Sequence, residues 1–465
     1  MPKIINPADG SELYSYDYIS REELDKKIKK AENAYAYWKN TSFEERKTLF
    51  KKLASLMLEN KEELAKLDTQ EMGMLYSGAL GDVSKSAAGI LYTADNFENW
   101  ISPKEFNEGG ITGQIVYESM GIVYTVSPWN FPYNQVFRNA APNILAGNVV
   151  LSKHASNVVG VARKIEELFL QAGFPEGVYQ NIEISASESE YIISHPSVRG
   201  TNITGGDKAG RVIGSLAGKY IKPSVLELGG SDPFILLDTS NLDKAVELAV
   251  TGRLSSCGQK CNSSKRLIVV EELYEEFCKK LAKAFGELKV GDPFDSETKV
   301  GPLAKEDALG DLETLVSKSM KTGAKLLIGG KRIQPSPQSS PNGRGSSSGG
   351  FYFEPTVVCD VVPGMSLFDE ETFGPIAAVI KAKDTDHAIE LANSSRFGLT
   401  AGVFTDDKAK FEYAASRLES GSVFWNKIPT SYPFLPYGGI KDSGYGRELG
   451  ETGIKNFMNE KVIAY

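Results

Sequence analysis

Hydrophobic positions in the first hundred residues recur at the spacing of an amphipathic helix. Ser42 and Glu45 in SFEE stand at the capping-box spacing that begins a helix, and Leu49 and Leu53 follow at helical intervals. This part of the chain is therefore predicted to be helical. The pattern then changes, because GQIVYESMGIVYTVSPW predicts two strands around Gly121 and GNVVLSKHA predicts a further short strand.

Beyond this point the predicted elements alternate between helix and strand. Helices are predicted at 157–173, 207–217, 241–254 and 272–287, and strands near 180–185, 200–204, 224–228, 233–237 and 266–271. Such alternation is typical of parallel βαβ units with helices on both faces of a sheet, in which ligands bind at the carboxyl ends of the strands. We therefore expect an α/β fold. The stretch 334–350, rich in Pro, Ser and Gly, is predicted to be a mobile surface insertion.

Length and composition limit the class of protein. A chain of 465 residues predicts two or more domains, and 41% hydrophobic with 24% charged residues is typical of a soluble globular protein rather than a membrane protein. The formal charge of −8 disfavours a nucleic-acid partner. MPKIINPADG lacks the layout of a secretory signal and the four cysteines are unevenly spaced. We expect reduced thiols, a cytoplasmic location and no metal site.

Two of the four cysteines lie close together in SSCGQKCNSSKR. Cys261 follows a predicted helix in a Gly- and Ser-rich turn beside Lys260, Lys265 and Arg266, and cationic neighbours favour the thiolate form of a cysteine. The alternative is a small buried core residue, which is the commoner role of a free cysteine. Position and charge favour a nucleophile. No motif pairs it with any of the three histidines, so a Cys/His hydrolase is disfavoured.

Two further segments provide candidate partners for a nucleophile. Glu227 is a lone carboxylate in the apolar strand of SVLELGG, and a strand that ends in two glycines is expected to open into a cleft, where burial would raise the pKa of a general base. An outward-facing position on a wet sheet face is the alternative. Asn130 lies between Pro128 and Pro132, which restrict its backbone, so its amide is either an oxyanion donor or a structural turn residue.

Five segments, in order along the chain, resemble the aldehyde dehydrogenase superfamily. They are PWNFP at 128–132, LELGG at 226–230, GQKC at 258–261, EETFGPI at 370–376 and PYGGIKDSGYGRELG at 436–450. The resemblance covers nearly the whole chain and implies an α/β protein of the aldehyde dehydrogenase fold, with three parts. The first is a Rossmann-like parallel-sheet cofactor domain at 1–102 and 121–230, to which the segment 431–445 returns. The second is an α/β catalytic domain at 231–430. The third is a small β oligomerisation flap at 103–120 and 446–465. Through the flap the resemblance implies a homodimer or homotetramer.

The resemblance also implies roles for individual residues. Cys261 would attack an aldehyde carbonyl, with the oxyanion held by the Asn130 amide and the Cys261 backbone N–H. Hydride would pass to a nicotinamide ring, and Glu227 would activate the water that hydrolyses the resulting thioester to a carboxylic acid. Cys257 would be a spectator, with a reversible Cys257–Cys261 disulfide as the alternative.

A cofactor site without the common G-x-G-x-x-G fingerprint follows from the same resemblance. The implied cofactor-binding residues are Trp129, Lys153, Ser156, Thr204, Gly205, Gly206, Gly210, Leu228, Glu371 and Phe373, the last two at the nicotinamide ribose and ring. Lys153 matches a lysine that contacts the adenosine ribose. Ser156 stands where relatives specific for NAD often have Glu, whose charge would repel a 2′-phosphate. We therefore expect NADP to be preferred, with NAD also accepted.

The identity of the aldehyde depends on fewer residues. Arg138 lies eight residues after Asn130, where succinate-semialdehyde dehydrogenases have an arginine for the distal carboxylate of the substrate; a helix-surface arginine is the alternative. A second arginine of some such enzymes is replaced by Ser255 here, although Arg253 is close in sequence and could reach the same pocket. The chain is most similar to the short bacterial-type succinate-semialdehyde dehydrogenases. Glyceraldehyde, lactaldehyde or a broad range of aliphatic aldehydes are alternative substrates, and a catalytically inactive binding or structural protein of this fold is the alternative of a different class.

Overall fold

The computed structural model describes residues 1–333 and 349–465. The predicted insertion at 334–350 therefore lies almost entirely outside the described residues. Within the described ranges, no helix combines the length and the apolar character needed to span a bilayer.

The helices are α1 (Arg21–Trp38), α2 (Phe43–Glu59), α3 (Lys61–Met72), α4 (Tyr76–Trp100), α5 (Asn134–Leu145), α6 (Val159–Ala172), α7 (Ser189–Ser194), α8 (Asp207–Lys219), α9 (Leu242–Leu254), α10 (Glu271–Gly286), α11 (Asp307–Lys321), α12 (Ser366–Asp369), α13 (Thr385–Asn393), α14 (Lys408–Ala415) and α15 (Gly450–Ile454). The strands are β1 (Lys3–Ile5), β2 (Glu12–Ser15), β3 (Lys104–Glu108), β4 (Ile111–Ser119), β5 (Ile122–Ser127), β6 (Val149–His154), β7 (Tyr179–Asn181), β8 (Val198–Thr204), β9 (Ser224–Glu227), β10 (Asp232–Leu236), β11 (Ser264–Val270), β12 (Lys325–Ile328), β13 (Thr356–Cys359), β14 (Ile376–Ala382), β15 (Phe397–Gly398), β16 (Thr400–Phe404), β17 (Ser422–Trp425), β18 (Ile440–Lys441), β19 (Gly444–Tyr445) and β20 (Met458–Ala464).

The helical prediction for the first hundred residues is confirmed except at the start, where β1 and β2 form an antiparallel hairpin. Helix α2 begins with the predicted capping box, in which the Ser42 side chain accepts from the backbone N–H of Glu45 and the Glu45 side chain accepts from the backbone N–H of Ser42. Helix α1 has the same device at Ser20 and Glu23. Both helices are thus stabilised at the end where backbone N–H groups lack partners within the helix.

The first large sheet has six strands in the order β19-β9-β8-β5-β6-β7. All neighbours are parallel except β19, which pairs antiparallel with β9 so that Gly444 lies opposite Glu227. One continuous hydrophobic core joins this sheet to the N-terminal helices. Its strands agree with the predicted ones, although β7 is shorter than the expected 180–185. The carboxyl ends of β5, β8 and β9 lead to the segments singled out from the sequence.

The second large sheet has seven strands in the order β12-β13-β14-β11-β10-β16-β17. It is parallel except for β12, and it has its own hydrophobic core. A third, three-stranded sheet in the order β20-β4-β3 is antiparallel, and its strands come from the two stretches predicted as the flap. Ile111 and Val462 on this sheet are more than half exposed. The domain boundaries themselves stay a prediction.

Candidate active site

A cavity of about 550 Å³ lies between the two large sheets. Its wall is built from α4, from the start of α5 after β5, from the turn between α9 and β11, and from the loop that follows β17. Of the predicted catalytic residues, Cys261 and Asn130 line this cavity. The predicted substrate residues Arg138 and Ser255 line it as well.

Cys261 lies in a tight turn in front of β11. Gly258 has a φ of +73°, and a side chain at this position would collide with the carbonyl oxygen of Gly374. Lys265 donates from its Nζ to the carbonyl oxygens of Lys260 at 2.9 Å and of Cys261 at 2.6 Å. The sequence GQKC therefore folds into a turn whose backbone is fixed on both sides of the nucleophile candidate.

The sulfur of Cys261 lies 3.5 Å from the hydroxyl oxygen of Tyr437. Burial raises the pKa of the Cys261 thiol, while the Tyr437 hydroxyl and the nearby charges of Arg138 and Lys265 act in the opposite direction. Of the cations predicted to favour the thiolate, Lys265 does act in that direction, but burial has the larger effect and the net pKa of the thiol is raised. The Arg266 guanidinium is used elsewhere, since it donates to three backbone carbonyls.

Asn130 is 5% exposed and is held by the turn of the nucleophile candidate. Its Nδ2 donates to the carbonyl oxygen of Gln259 at 2.9 Å, and the Gln259 side chain in turn accepts from the backbone N–H of Ala304. An amide nitrogen has two hydrogens, so the second N–H of Asn130 is free to bind an oxygen in the cavity. This geometry is compatible with the oxyanion role, which stays a prediction.

Glu227, the last residue of β9, is 3% exposed. Its Oε1 has no hydrogen-bond partner among the described residues, and it lies against Gly438, where a side chain would collide with it. Burial raises the pKa of Glu227 well above its usual value, and Glu448 raises it further, against the opposing effect of Arg138. The carboxylate therefore lies against Gly438, and Glu227 is not among the residues that line the cavity.

Arg138 forms a buried ion pair with Glu448, through Nε and Nη2 to the same carboxylate oxygen. The other oxygen of Glu448 accepts from Asn202 Nδ2 at 3.2 Å and from Thr204 Oγ1 at 3.3 Å. The guanidinium also lies 4.7 Å from the centre of the Tyr437 ring. Arg138 is therefore not the helix-surface arginine of the alternative interpretation, but its charge is already compensated within the protein.

The predicted second arginine of the pocket, Arg253, does not reach the cavity. It is fully buried and donates to the carbonyl oxygens of Ile376 and Thr372 and to the hydroxyl of Ser263. Its role is to join the turn before β11 to the strand β14. Cys257 is also buried, and burial raises the pKa of its thiol to about 12, which makes it unreactive.

The resemblance implies a pyrophosphate at the N-terminus of helix α8, where the side chain of Asp207 accepts from the backbone N–H of Lys208 at 2.9 Å and pairs with Arg396. Gly206 is the residue before the helix and forms no side-chain cap, and a side chain there would meet only open space. Backbone N–H groups at such a helix end bind phosphate oxygens. Gly210 has a different reason to be glycine, because the side chain of Leu228 packs against it. Thr204 directs its hydroxyl to Glu448 instead of toward a phosphate.

The two residues predicted for the nicotinamide end, Glu371 and Phe373, both lie near Lys265. Glu371 accepts from the backbone N–H of Gly230 at 3.1 Å and pairs with Lys265 at 3.2 Å. The Phe373 ring meets the Trp129 ring edge to face, with centres 5.6 Å apart. A fixed carboxylate and a half-buried aromatic pair suit the hydroxyls and the flat ring of a nucleotide, so these residues fit a dinucleotide.

At the end of β6, Lys153 donates from its Nζ to the carbonyl oxygen of His154 at 3.3 Å. Burial lowers the pKa of Lys153, and the charge of Lys305 lowers it further, so the two cations lie near one another. Ser156 is exposed, and its carbonyl oxygen accepts from the Tyr16 hydroxyl. Among the described residues, neither lysine forms an ion pair. Nothing in the sequence indicated Lys305, because it lies about 150 residues after Lys153 along the chain and belongs to no recognisable motif.

Lys85 and Lys260 also line the cavity. Lys85, on α4, had no signal in the sequence, because a lysine in a helical pattern is usually a solvated surface residue. Lys260 was noted only as a cation beside Cys261. Tyr437 and Glu448 were likewise missed as individual residues, although both lie in the segment PYGGIKDSGYGRELG that carried the resemblance.

Comparison with known proteins agrees with this geometry. The aldehyde dehydrogenase family profile matches residues 2–463. The succinate-semialdehyde dehydrogenase (NADP(+)) of Deinococcus radiodurans is 39% identical, over 99% of this chain and 94% of that protein. The succinate-semialdehyde dehydrogenase (NADP(+)) 1 of Mycobacterium ulcerans is 41% identical over 98% of each chain. The crystal structure of succinic semialdehyde dehydrogenase from Streptococcus pyogenes in complex with NADP+ superposes with a TM-score of 0.94 at 33% identity, covering 100% of this chain and 99% of that one. The chain belongs to the aldehyde dehydrogenase family.

Proposed function

We propose that the protein oxidises succinate semialdehyde to succinate with NADP, through a thioester on Cys261. The observation that supports this most directly is the cavity itself. It holds the Cys261 sulfur beside Asn130 and Tyr437, and its other charged side chains are mainly cationic. The names and bound cofactor of the similar proteins support the same substrate and cofactor.

The reaction begins when the Cys261 thiolate forms a bond to the aldehyde carbon and the carbonyl electron pair moves to oxygen. The second N–H of Asn130 Nδ2 and the backbone N–H of Cys261 bind this oxyanion. Tyr437 donates its hydroxyl hydrogen to the sulfur and stabilises the thiolate before the attack. NADP, when bound, would accept the hydride, and loss of this hydride from the carbon would leave a thioester on Cys261.

Hydrolysis of the thioester completes the cycle. Glu227 accepts a proton from water, the water oxygen bonds to the thioester carbon, and the carbon–sulfur bond breaks to release the acid and the Cys261 thiolate. The raised pKa of Glu227 suits a base that must both take and release a proton near neutral pH. Because Glu227 does not line the cavity, this step requires a small movement of the segment around Gly438 or a connecting water.

For the cofactor, we propose that Lys153 and Lys305 bind the 2′-phosphate of NADP. Neither has an acidic partner among the described residues, and Ser156 brings no negative charge to this end of β6. The N-terminus of α8 would bind the pyrophosphate. NAD would bind the same residues without the phosphate contact and therefore more weakly.

For assembly, we propose that the three-stranded sheet of β20, β4 and β3 joins subunits into a dimer or a dimer of dimers. Its exposed Ile111 and Val462 and its open strand edges support this assignment. A solution mass equal to one chain would contradict it. The cytoplasmic location stays a prediction.

The function is tested by a spectrophotometric assay of reduced-cofactor formation, with NADP or NAD and with succinate semialdehyde, glyceraldehyde, lactaldehyde or butanal. We expect the highest kcat/KM for succinate semialdehyde with NADP. Cys261→Ala should abolish activity, while Cys257→Ala, four residues away and buried, serves as the matched control. Parental activity in Cys261→Ala would contradict the mechanism, and a preference for one of the other aldehydes would contradict the substrate.

A further inference from the structure

Lys265 is a buried lysine that lies beside the nucleophile candidate without lining the cavity. It is 1% exposed, and its Nζ donates to the carbonyl oxygens of Lys260 at 2.9 Å and of Cys261 at 2.6 Å. The ammonium also pairs with the carboxylate of Glu371 at 3.2 Å. A lysine is seldom fully buried unless its charge is paired and its N–H groups have acceptors, and both conditions are met here. The fold therefore provides a dedicated site for this positive charge.

The carbonyl of Lys260 and the N–H of Cys261 belong to the same peptide unit. This unit is trans and planar, so its C=O and its N–H point in opposite directions. The carbonyl points away from the cavity, because it accepts from Lys265 and from the backbone N–H of Ser263 at 3.3 Å, and neither residue lines the cavity. The N–H of Cys261 therefore points toward the cavity. Within residues 1–333 and 349–465, this N–H donates to no protein acceptor.

The rest of the turn is held through its carbonyl groups. The four carbonyls from Gly258 to Cys261 each accept a hydrogen bond, the first from Arg253, the second from Asn130 and the last two from Lys265. All acceptors of the turn are thus in use, while one backbone N–H beside the sulfur is left to bind a ligand. A fixed donor of this kind is what an oxyanion site requires.

We infer that Lys265 is a positioning residue that aims and strengthens the oxyanion donor at the Cys261 N–H. The inference rests on the proposed function, in which this N–H binds the oxyanion formed from the aldehyde. A positive charge on the carbonyl side of a peptide polarises the unit and makes its N–H a stronger donor. The N–H is also held in place before the oxyanion forms, so no reorganisation is needed during the reaction. Lys265 thus acts through a backbone group and does not touch the substrate.

Glu371 connects the same ammonium to another part of the site. Its carboxylate accepts from the backbone N–H of Gly230 at 3.1 Å and lies against Gly229, where a side chain would collide with it. Glu371 is also the residue that the family resemblance places at the nicotinamide ribose. A variant of Lys265 can therefore act on the nucleophile turn or on the nicotinamide end. A reaction that needs no dinucleotide separates the two connections.

The first test is the acylation of Cys261 by p-nitrophenyl acetate without dinucleotide. The thiolate bonds to the ester carbon, the carbonyl electron pair moves to oxygen, and p-nitrophenolate leaves when the carbonyl forms again. Lys265→Met keeps a side chain of similar length but removes the charge and the donors. It is expected to lower the acylation rate by about 10–100-fold, measured as stopped-flow release of p-nitrophenolate. A parental acylation rate, with a loss confined to aldehyde oxidation, would overturn the inference.

Alkylation of Cys261 by iodoacetamide separates the oxyanion from the thiolate. The charge of Lys265 also acts to lower the pKa of the thiol, so its removal slows every reaction of the thiolate. Alkylation displaces iodide at a saturated carbon and forms no oxyanion. The ratio of the acylation rate to the alkylation rate should therefore fall by about tenfold in Lys265→Met. Equal losses in the two rates would show that Lys265 acts on the thiol alone and would overturn the inference.

The carbonyl stretch of the acyl-enzyme gives a spectroscopic readout. In a Glu227→Gln background, an acetyl thioester labelled with carbon-13 at its carbonyl should persist on Cys261 long enough for isotope-edited infrared spectroscopy. A hydrogen bond to the carbonyl oxygen lowers its stretching frequency, so the band should move to higher frequency when Lys265→Met is added. A residue that only stabilised the fold would leave the band in place, and an unchanged band would overturn the inference.

Arg266→Met is the matched control. Arg266 is next to Lys265 in sequence, is also 1% exposed and donates to three backbone carbonyls outside the nucleophile turn. Its variant should lower the melting temperature and keep the parental ratio of acylation to alkylation. An equal fall of the ratio in Arg266→Met would overturn the inference. Lys265→Gln, which keeps an N–H donor without the charge, is the second variant and should give an intermediate ratio even if Lys265→Met does not fold.

Cys261→Ala distinguishes failure of the inference from failure of the proposed function. Parental rates of p-nitrophenolate release and of aldehyde oxidation in this variant would overturn the thioester mechanism, and the role of Lys265 with it. If Cys261 is required, but Lys265→Met keeps the parental ratio and the parental infrared band, only the role of Lys265 is overturned.

Discussion

Arg138→Ala removes one partner of the buried Arg138–Glu448 ion pair. Arg138 is 9% exposed and Glu448 is 3% exposed, so the remaining carboxylate would keep only the neutral donors Asn202 and Thr204. Breaking a buried pair in this way typically costs about 3–5 kcal/mol of stability. Glu227 lies near the same charge, so the loss of Arg138 would leave Arg447 to oppose the effect of Glu448 on the pKa of Glu227.

The measurement is chemical denaturation of parent and variant, together with kcat/KM for succinate semialdehyde and butanal. We expect a lower denaturation midpoint and a similar loss of kcat/KM on both substrates, because Arg138 acts through Glu448 and the catalytic groups. Arg138→Met combined with Glu448→Gln should recover part of the stability, since no unpaired charge remains buried. A stable Arg138→Ala enzyme with a KM raised only for succinate semialdehyde would refute this reasoning and restore Arg138 as the carboxylate ligand.

Three further predictions concern the reaction itself. Tyr437→Phe removes a donor that lowers the pKa of the Cys261 thiol. In a pH profile, the midpoint of the rise in kcat/KM should therefore shift to a higher pH by about one unit. Glu227→Gln should form one equivalent of reduced cofactor per active site in a burst that stopped-flow absorbance detects. Its steady-state turnover should then be about 10²–10⁴-fold slower than that of the parent enzyme. A parental steady-state rate would contradict the role of Glu227 as the base. Lys305→Met should raise the KM for NADP about tenfold and that for NAD by less than about twofold in initial-rate assays; equal effects would place Lys305 outside the 2′-phosphate site.

The elements of the fold were predictable because they depend on local patterns. The alternation of apolar runs and helical faces predicted β8, α8, β9 and α9 to within a few residues. Candidate site residues were predictable where a short segment has a distinctive composition, as at Asn130 between two prolines and Cys261 in GQKC. These signals lie within a few residues of the group that they mark.

Pairings across the chain were not predictable in this way. Glu448 is 310 residues from Arg138, and nothing in the sequence around either residue indicates the other. The spacing of Arg138 after Asn130 predicts a role in binding the substrate carboxylate, which stays a prediction, but it does not indicate the buried ion pair with Glu448. Likewise, the neighbours of Cys261 in sequence indicate cations that favour its thiolate, but they do not indicate that the fold buries the thiol and so raises its pKa. The pKa of a side chain depends on its burial and on the charged groups that the fold brings near it, and a short segment of sequence indicates neither.

The Arg138–Glu448 pair also connects the two stages of the proposed reaction. The charge of Arg138 acts to lower the pKa of both the Cys261 thiol and the Glu227 carboxyl, against the larger effect of burial. Glu448 acts on Glu227 in the opposite direction and raises its pKa. Because Arg138 and Glu448 have opposite effects on Glu227, losing either member of the pair should change the pKa of the base.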